Sequence, residues 1–135
     1  MNIETKDPRL QRWFDHMEGD RSADTLRPLL AEDAIFHSPV VHTPQRGIDL
    51  TTAYLSAADT VFGNGTFEYV RVIVDGDNAM LEFTAELNGI HINGIDIIHW
   101  NEAGQIDDFK VMVRPLKAIN MLWEMMANQL EKQAG

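Results

Sequence analysis

The chain has 135 residues, enough for one domain with a sizeable core, and 44% of them are hydrophobic, as in an ordinary globular protein. Its 21 acidic side chains against 11 basic ones leave a formal net charge of −10, a field that repels phosphate backbones and anionic lipid and argues against nucleic acid as a partner. The absence of cysteine excludes disulfides and thiolate chemistry. There is no run of about 18 apolar residues to span a membrane, and "MNIETKDPRLQ" lacks the basic start and apolar stretch of a secretory signal, so a cytoplasmic location is expected.

"KDPRLQRWFDHMEGD" predicts a helix with both ends marked: Asp7 caps it, Pro8 suits its first turn and Gly19 stops it. Leu10, Trp13, Phe14 and Met17 recur at helical spacing and form one apolar face. "SADTLRPLLAED" predicts a second helix, kept short or kinked by Pro28, with Leu26, Leu29 and Leu30 on one side. "AIFHSPVV" reads as a short strand ended by Pro39. "GIDLTTAYLSAADTVFG" predicts a third helix, with Asp49 as its cap and Gly63 as its stop. Leu50, Tyr54, Ala57, Ala58, Val61 and Phe62 are its expected buried side.

Beyond Gly65 the period changes to two. "TFEYVRVIVDG" and "NAMLEFTAEL" are strands joined by the turn "DGDN", and Leu81, Phe83, Ala85 and Leu87 share a face of the second. Asn88-Gly89 is a hairpin signal leading into "IHINGIDIIHWN", and "EAG" turns that strand into "QIDDFKVMVR". Pro115 then opens a last helix, "PLKAINMLWEMMANQLEK", with Leu116, Ile119, Trp123, Met126 and Leu130 among its apolar positions. Helices, then a meander of four long strands, then a helix describe an α+β fold, a single domain over residues 1–135. Helices covering one face of a curved sheet make a cone, and a cone leaves a pocket at its open end.

One residue breaks the pattern. Asp96 stands among isoleucines and a tryptophan in "NGIDIIHWNEAG". A buried unpaired charge costs several kcal/mol, so such a carboxyl has a partner, water or a task. Two readings stand open: a structural tie to Arg114, Arg71 or a helix terminus, or an acid/base group whose pKa is raised by burial. The alternation of Phe109, Val111 and Val113 puts Arg114 on the other face with Lys110 and Met112, at the sheet rim or a subunit interface.

"LLAEDAIFHSPV", "GIDLTTAYL" and "GIDIIHWNEAGQIDDFKVMVRP", with the spacing D-x-x-x-W-x-x-x-G-Q-I, resemble the nuclear-transport-factor-2-like superfamily. Within it the chain resembles the SnoaL-like proteins, which include polyketide cyclases and relatives of ketosteroid isomerase, from about Leu10 to Leu130. The resemblance implies a cone-shaped curved antiparallel sheet, wrapped by the N-terminal helices and closed by the C-terminal one. It implies that Asp96 points into the cone, at the position where ketosteroid isomerases hold a protonated Asp that donates to the substrate oxygen. Gly94, Ile98 and Trp100 then share the pocket side, and Ile95, Ile97 and His99 face outward, where this superfamily commonly dimerises. The chain departs from those isomerases at their base, since "HSPV" carries Ser38 where they have Asp before Pro, and it has Arg12 and Trp13 near their first-helix Tyr. Gly94 also stands where epoxide hydrolases of this fold carry Arg.

The candidate catalytic set is therefore Asp96 with His37 or Ser38 assisting. His37 is either a general base oriented by the carboxyl or a structural histidine, since alternation sets it opposite Phe36 and Ser38. Trp13, Phe36, Tyr54, Phe62, Phe83, Ile98 and Trp100 are the candidate pocket lining, each also a plausible core residue. No histidine pair has the helical spacing of a zinc site, so neither metal nor organic cofactor is expected. The expected function is proton-transfer chemistry on a hydrophobic cyclic or oxygenated metabolite, by an isomerase, cyclase, dehydratase or hydrolase. The alternative is a non-catalytic small-molecule-binding or dimerisation module of the same fold. A homodimer is expected from the outward Ile95, Ile97 and Met112.

Overall fold

The first helix forms where its ends are marked. In a computed structural model describing residues 3–63 and 65–134, α1 spans Pro8–Glu18. The Asp7 side chain accepts from the Arg9 N–H at 2.9 Å, and the Gly19 N–H closes the far end on the Asp15 carbonyl at 3.0 Å. Leu10, Trp13, Phe14 and Met17 are buried, as their spacing predicts, and so is His16 beside them.

The second helix is shorter than expected. α2 covers only Ala23–Leu26 with Ser22 as its cap, and Pro28 sits in a single 3-10 turn, Arg27–Leu29. Leu30, Ala31, Glu32 and Asp33, expected as helix, instead open β1 (Leu30–His37). A bulge between Leu30 and Ile35 breaks the alternation in that stretch, which is why its strand character was hidden. β2 (Gln45–Arg46) is a two-residue strand without a signal of its own.

α3 (Ile48–Val61) is rolled relative to expectation. Gly47, at φ 99°, takes the cap position in place of Asp49, which instead pairs with Arg27 in the first turn. The Gly47 N–H and the Thr51 hydroxyl both donate to the Ala34 carbonyl, at 2.8 and 3.0 Å. Those two bonds pin the helix start to the β1 bulge. They turn Thr51, Thr52, Leu55, Ala57 and Val61 inward and leave Leu50 47% exposed.

β3 (Glu68–Asp75), β4 (Asn78–Leu87), β5 (Ile90–Trp100) and β6 (Ile106–Arg114) form the meander, followed by α4 (Leu116–Ala134). The six-stranded sheet has the order β2-β1-β6-β5-β4-β3. All pairings are antiparallel except β1 with β6, which run parallel with Phe36 opposite Phe109, so the sheet is mixed. α4 buries Ala118 and Leu122 rather than Leu116 and Trp123, which are 72% and 62% exposed. Met121, Met125 and Met126 pack partly buried beside Ala118 and Leu122, so the face that meets the rest of the molecule is centred on those two residues.

The inner face of the sheet carries the core. Leu81, Phe83, Ile98, Trp100 and Phe109 are buried on it beneath Leu10, Trp13 and Phe14 of α1. Gly94 lets this row close up: a Cβ there would lie 2.4 Å from Phe83 Cζ and 2.8 Å from the Met112 carbonyl oxygen. Gly94→Ala should therefore cost about 1–3 kcal/mol of stability through overpacking. Urea unfolding reads this directly, and an unchanged midpoint would contradict the close contact.

Candidate functional site

The sheet register decides the surroundings of Asp96. Leu81 and Val111 flank it on the neighbouring strands, and Gly94 and Ile98 are its same-face neighbours along β5. The residue is 6% exposed. It opens on a cavity of about 60 Å³ whose sheet side carries Phe83, Phe109, Val111 and Val113. Leu55 and Asp59 of α3, with Phe62 at its C-cap, form another wall, and Ser38, Pro39, Val40 and, from α4, Leu122 and Met126 also line the cavity.

Among the described residues no cation pairs with the carboxyl. Tyr69 of β3 donates its hydroxyl to Asp96 Oδ2 at 2.6 Å, and the Trp13 indole N–H donates to the Tyr69 oxygen at 3.0 Å. This chain runs from α1 through β3 to β5 and uses the polar tip of each aromatic. Among the described residues no donor reaches Asp96 Oδ1. The arginines considered for a structural tie are engaged elsewhere: Arg114 donates to Asn93 at 2.9 Å, and Arg71 pairs with Glu82 at 3.3 Å.

The other residues singled out by sequence fall into two groups. Trp13, Phe36, Phe62, Phe83 and Ser38 line the cavity with Asp96. The Ser38 oxygen accepts from the Val40 and Val41 N–H groups at 3.1 and 3.4 Å, so it organises the turn there. Tyr54, Ile98, Trp100 and His37 stand apart from the cavity. Tyr54 packs on Phe36 with ring centroids 5.6 Å apart. Ile98 is wholly enclosed, and Trp100 lies under the Arg9 guanidinium, 4.5 Å from its ring centroid. That end of β5 is core because the start of α1 covers it. His37 is on the opposite face of β1 from Phe36, where its Nε2 meets Asp108 Oδ2 at 2.9 Å.

Three polar residues near the cavity were missed. Tyr69 immediately precedes the β3 irregularity that breaks alternation between Tyr69 and Arg71. His16 lies three residues after Trp13 and so belonged to the buried face of α1. Asp59 lies four residues after Leu55, a carboxylate on an inward helix stripe. The anomaly that singled out Asp96 was present there too, at a helical period. Among the described residues no three His, Asp or Glu side chains gather closely enough to hold a metal, and no helix is long and apolar enough to cross a membrane.

Residues 10–109 match the family of SnoaL-like domains. No curated protein matches the chain. Among solved structures, a steroid delta-isomerase from Pseudomonas aeruginosa is 34% identical, with 93% of this chain and 91% of that one covered and a TM-score of 0.86. A protein from Silicibacter pomeroyi described as having a cystatin-like fold is 30% identical, covering 99% of this chain and 93% of that one, also with a TM-score of 0.86. A candidate polyketide cyclase from Sinorhizobium meliloti is 17% identical over 78% of this chain and 94% of its own, with a TM-score of 0.63, a likeness of fold alone.

Burial pushes the Asp96 carboxyl up to about 7, with the Tyr69 hydrogen bond opposing the rise and the charge of Asp59 adding to it. The Tyr69 phenol is pushed well above its ordinary value, first by burial and then by the negative field of Asp96, and so stays a donor. Asp96 loses its proton near 3.8 when unfolded and near 7 when folded. Between these values the folded chain holds the extra proton, so this group's contribution makes stability fall as pH rises, and the loss is complete above about 7. Asp96→Asn removes that dependence. Relative to the parent, the variant should gain up to about 4 kcal/mol as pH is raised through this window. Urea unfolding of both proteins across the pH range checks this, and a stability difference independent of pH would contradict it.

Proposed function

The chain belongs to the SnoaL-like family, and on that premise we propose that it binds a hydrophobic, oxygenated small molecule in the cavity and moves protons on it. Asp96, whose protonated form prevails below about pH 7, is the donor to the ligand's oxygen. Tyr69 and Trp13 hold the carboxyl in place from the other side. The observation that carries this reading is the pairing of a buried carboxyl, one oxygen held by Tyr69, with a cavity whose walls are mostly apolar, phenylalanine and valine foremost. A neutral carboxylic acid in such surroundings keeps its hydrogen-bond donor without the desolvation penalty of a charge. The likeness to the Pseudomonas aeruginosa steroid delta-isomerase supports an apolar ligand with a carbonyl oxygen. Steroid isomerisation itself is not part of the proposal, because Ser38 stands at the isomerase base position.

A ketone that accepts hydrogen bonds and donates none isolates the role of Asp96. β-Tetralone should bind below pH 7 and weaken about tenfold for each pH unit above it, as the protonated fraction falls. Asp96→Leu should bind more weakly and lose the pH dependence. Isothermal titration of both proteins checks this, and a wild-type affinity indifferent to pH would sink the donor role.

The outer face of the sheet supports a homodimer. Arg71, Glu82, Ile95 and Met112 form one row across four strands, and Ile73, Met80 and Ile97 form the next. Ile73, Met80 and Met112 are 53%, 41% and 51% exposed, a contiguous apolar strip edged by the Arg71–Glu82 pair. A second copy related by a two-fold axis would cover this strip with its own. Sedimentation should give a dimer at micromolar concentration for the parent and a monomer for Ile73→Glu combined with Met112→Glu. A parent that sediments as a monomer would refute the assembly.

A further inference from the structure

A second carboxyl stands on the wall of the same cavity. Asp59 of α3 has a side chain only 9% exposed, on the stripe Leu55, Ala58, Asp59 and Phe62 that lines the cavity. Asp59 lies in the last turn of its helix, at the negative end of the backbone dipole, so the helix gives a carboxylate no support there. Support comes from α1 instead. His16, its side chain 1% exposed, brings Nε2 to 3.0 Å from Asp59 Oδ2. Its Nδ1 lies 2.8 Å from the Thr25 hydroxyl oxygen. A carboxylate only accepts, so the ring proton is on Nε2 and is donated to Asp59. The two carboxyls are electrostatically coupled, the charge of Asp59 favouring the neutral form of Asp96.

We propose that Asp59 is the base of this site, a carboxylate oriented by His16 and Thr25 that removes and returns a proton on the carbon beside the carbonyl of a neutral, apolar ketone. The assignment rests on the reading of Asp96 as donor to the carbonyl oxygen. The substrate class follows from the walls. None of the described residues lining the cavity is Lys, Arg or His, so a carboxylate or phosphate ester would enter without a counter-charge, next to Asp59. The step balances without a co-reactant. Asp59 takes the α-proton, the C–H electron pair becomes the carbon–carbon π bond of an enol, and the carbonyl oxygen takes the proton of Asp96. In the return, the enol oxygen gives that proton back to Asp96 and Asp59 reprotonates the carbon it deprotonated. His16 and Thr25 are positioning residues that act through Asp59.

Exchange of the α-protons of β-tetralone in heavy water at mildly acidic pH, followed by NMR, separates this assignment from the binding role of Asp96. Asp59→Asn should bind β-tetralone as the parent does and exchange its α-protons on the order of a hundredfold more slowly, or worse. His16→Leu should lower kcat with the dissociation constant unchanged, and His16→Gln, which keeps a donor toward Asp59, should recover part of the loss. Parent-level exchange in Asp59→Asn would overturn the base assignment. So would a parent protein that binds β-tetralone without exchanging it, and the donor reading of Asp96 would survive both results. Parent-like binding and exchange in Asp96→Leu would instead remove the premise.

Discussion

The site turns on a carboxyl enclosed in an apolar hollow, where burial favours its protonated form. Asp96 sits between Leu81 and Val111, with Tyr69 as its donor and, among the described residues, no arginine or lysine paired with it. An ionised carboxylate there would carry a desolvation penalty of several kcal/mol, and one phenol hydrogen bond does not offset it. The proton offsets it instead. The cations that would have made this a salt bridge are on the outer face, where Arg71 holds Glu82 and Arg114 holds Asn93. Sheet alternation therefore does more than bury the acid. It withholds the partner that would have lowered its pKa.

The same inner surface serves as core in one half and cavity in the other. Toward Trp100 it is sealed by the start of α1, with Arg9 over the indole. Around Asp96 the covering helix is α3, whose roll is set by the two bonds from Gly47 and Thr51 to the Ala34 carbonyl. That roll brings Leu55, Asp59 and Phe62 to the cavity and turns Leu50 to solvent. A bulge in β1 thus reaches the site through one carbonyl oxygen. Gly94 contributes by absence, since the Phe83 ring occupies the space its side chain would need.

What was readable in the sequence, and what was not, follows from the range of the signals. The long strands, the caps of α1 and the inward set of β5 rest on local period and local capping, and they stand as expected. The β1 boundary failed because a bulge removes alternation in the stretch that decides between helix and strand. The parallel contact of β1 with β6 joins segments some seventy residues apart, as the pairing of Phe36 with Phe109 has it, and no local pattern records it. In the candidate site Asp96 was visible because period two made a lone acid conspicuous. Asp59 offered the same anomaly at helical period but was masked by an expected buried face rotated from the true one. Tyr69 was hidden by the β3 irregularity, and the Trp13–Tyr69–Asp96 chain joins three separate elements that only the folded molecule brings together.

The claim that Asp96 is held protonated by its surroundings is tested most directly by carbon-13 NMR of its carboxyl across a pH titration, assigned by comparison with Asp96→Asn. The account predicts a midpoint near 7. A midpoint near the ordinary value of 3.8 would mean the carboxyl is charged at neutral pH, and the account of the cavity would be contradicted.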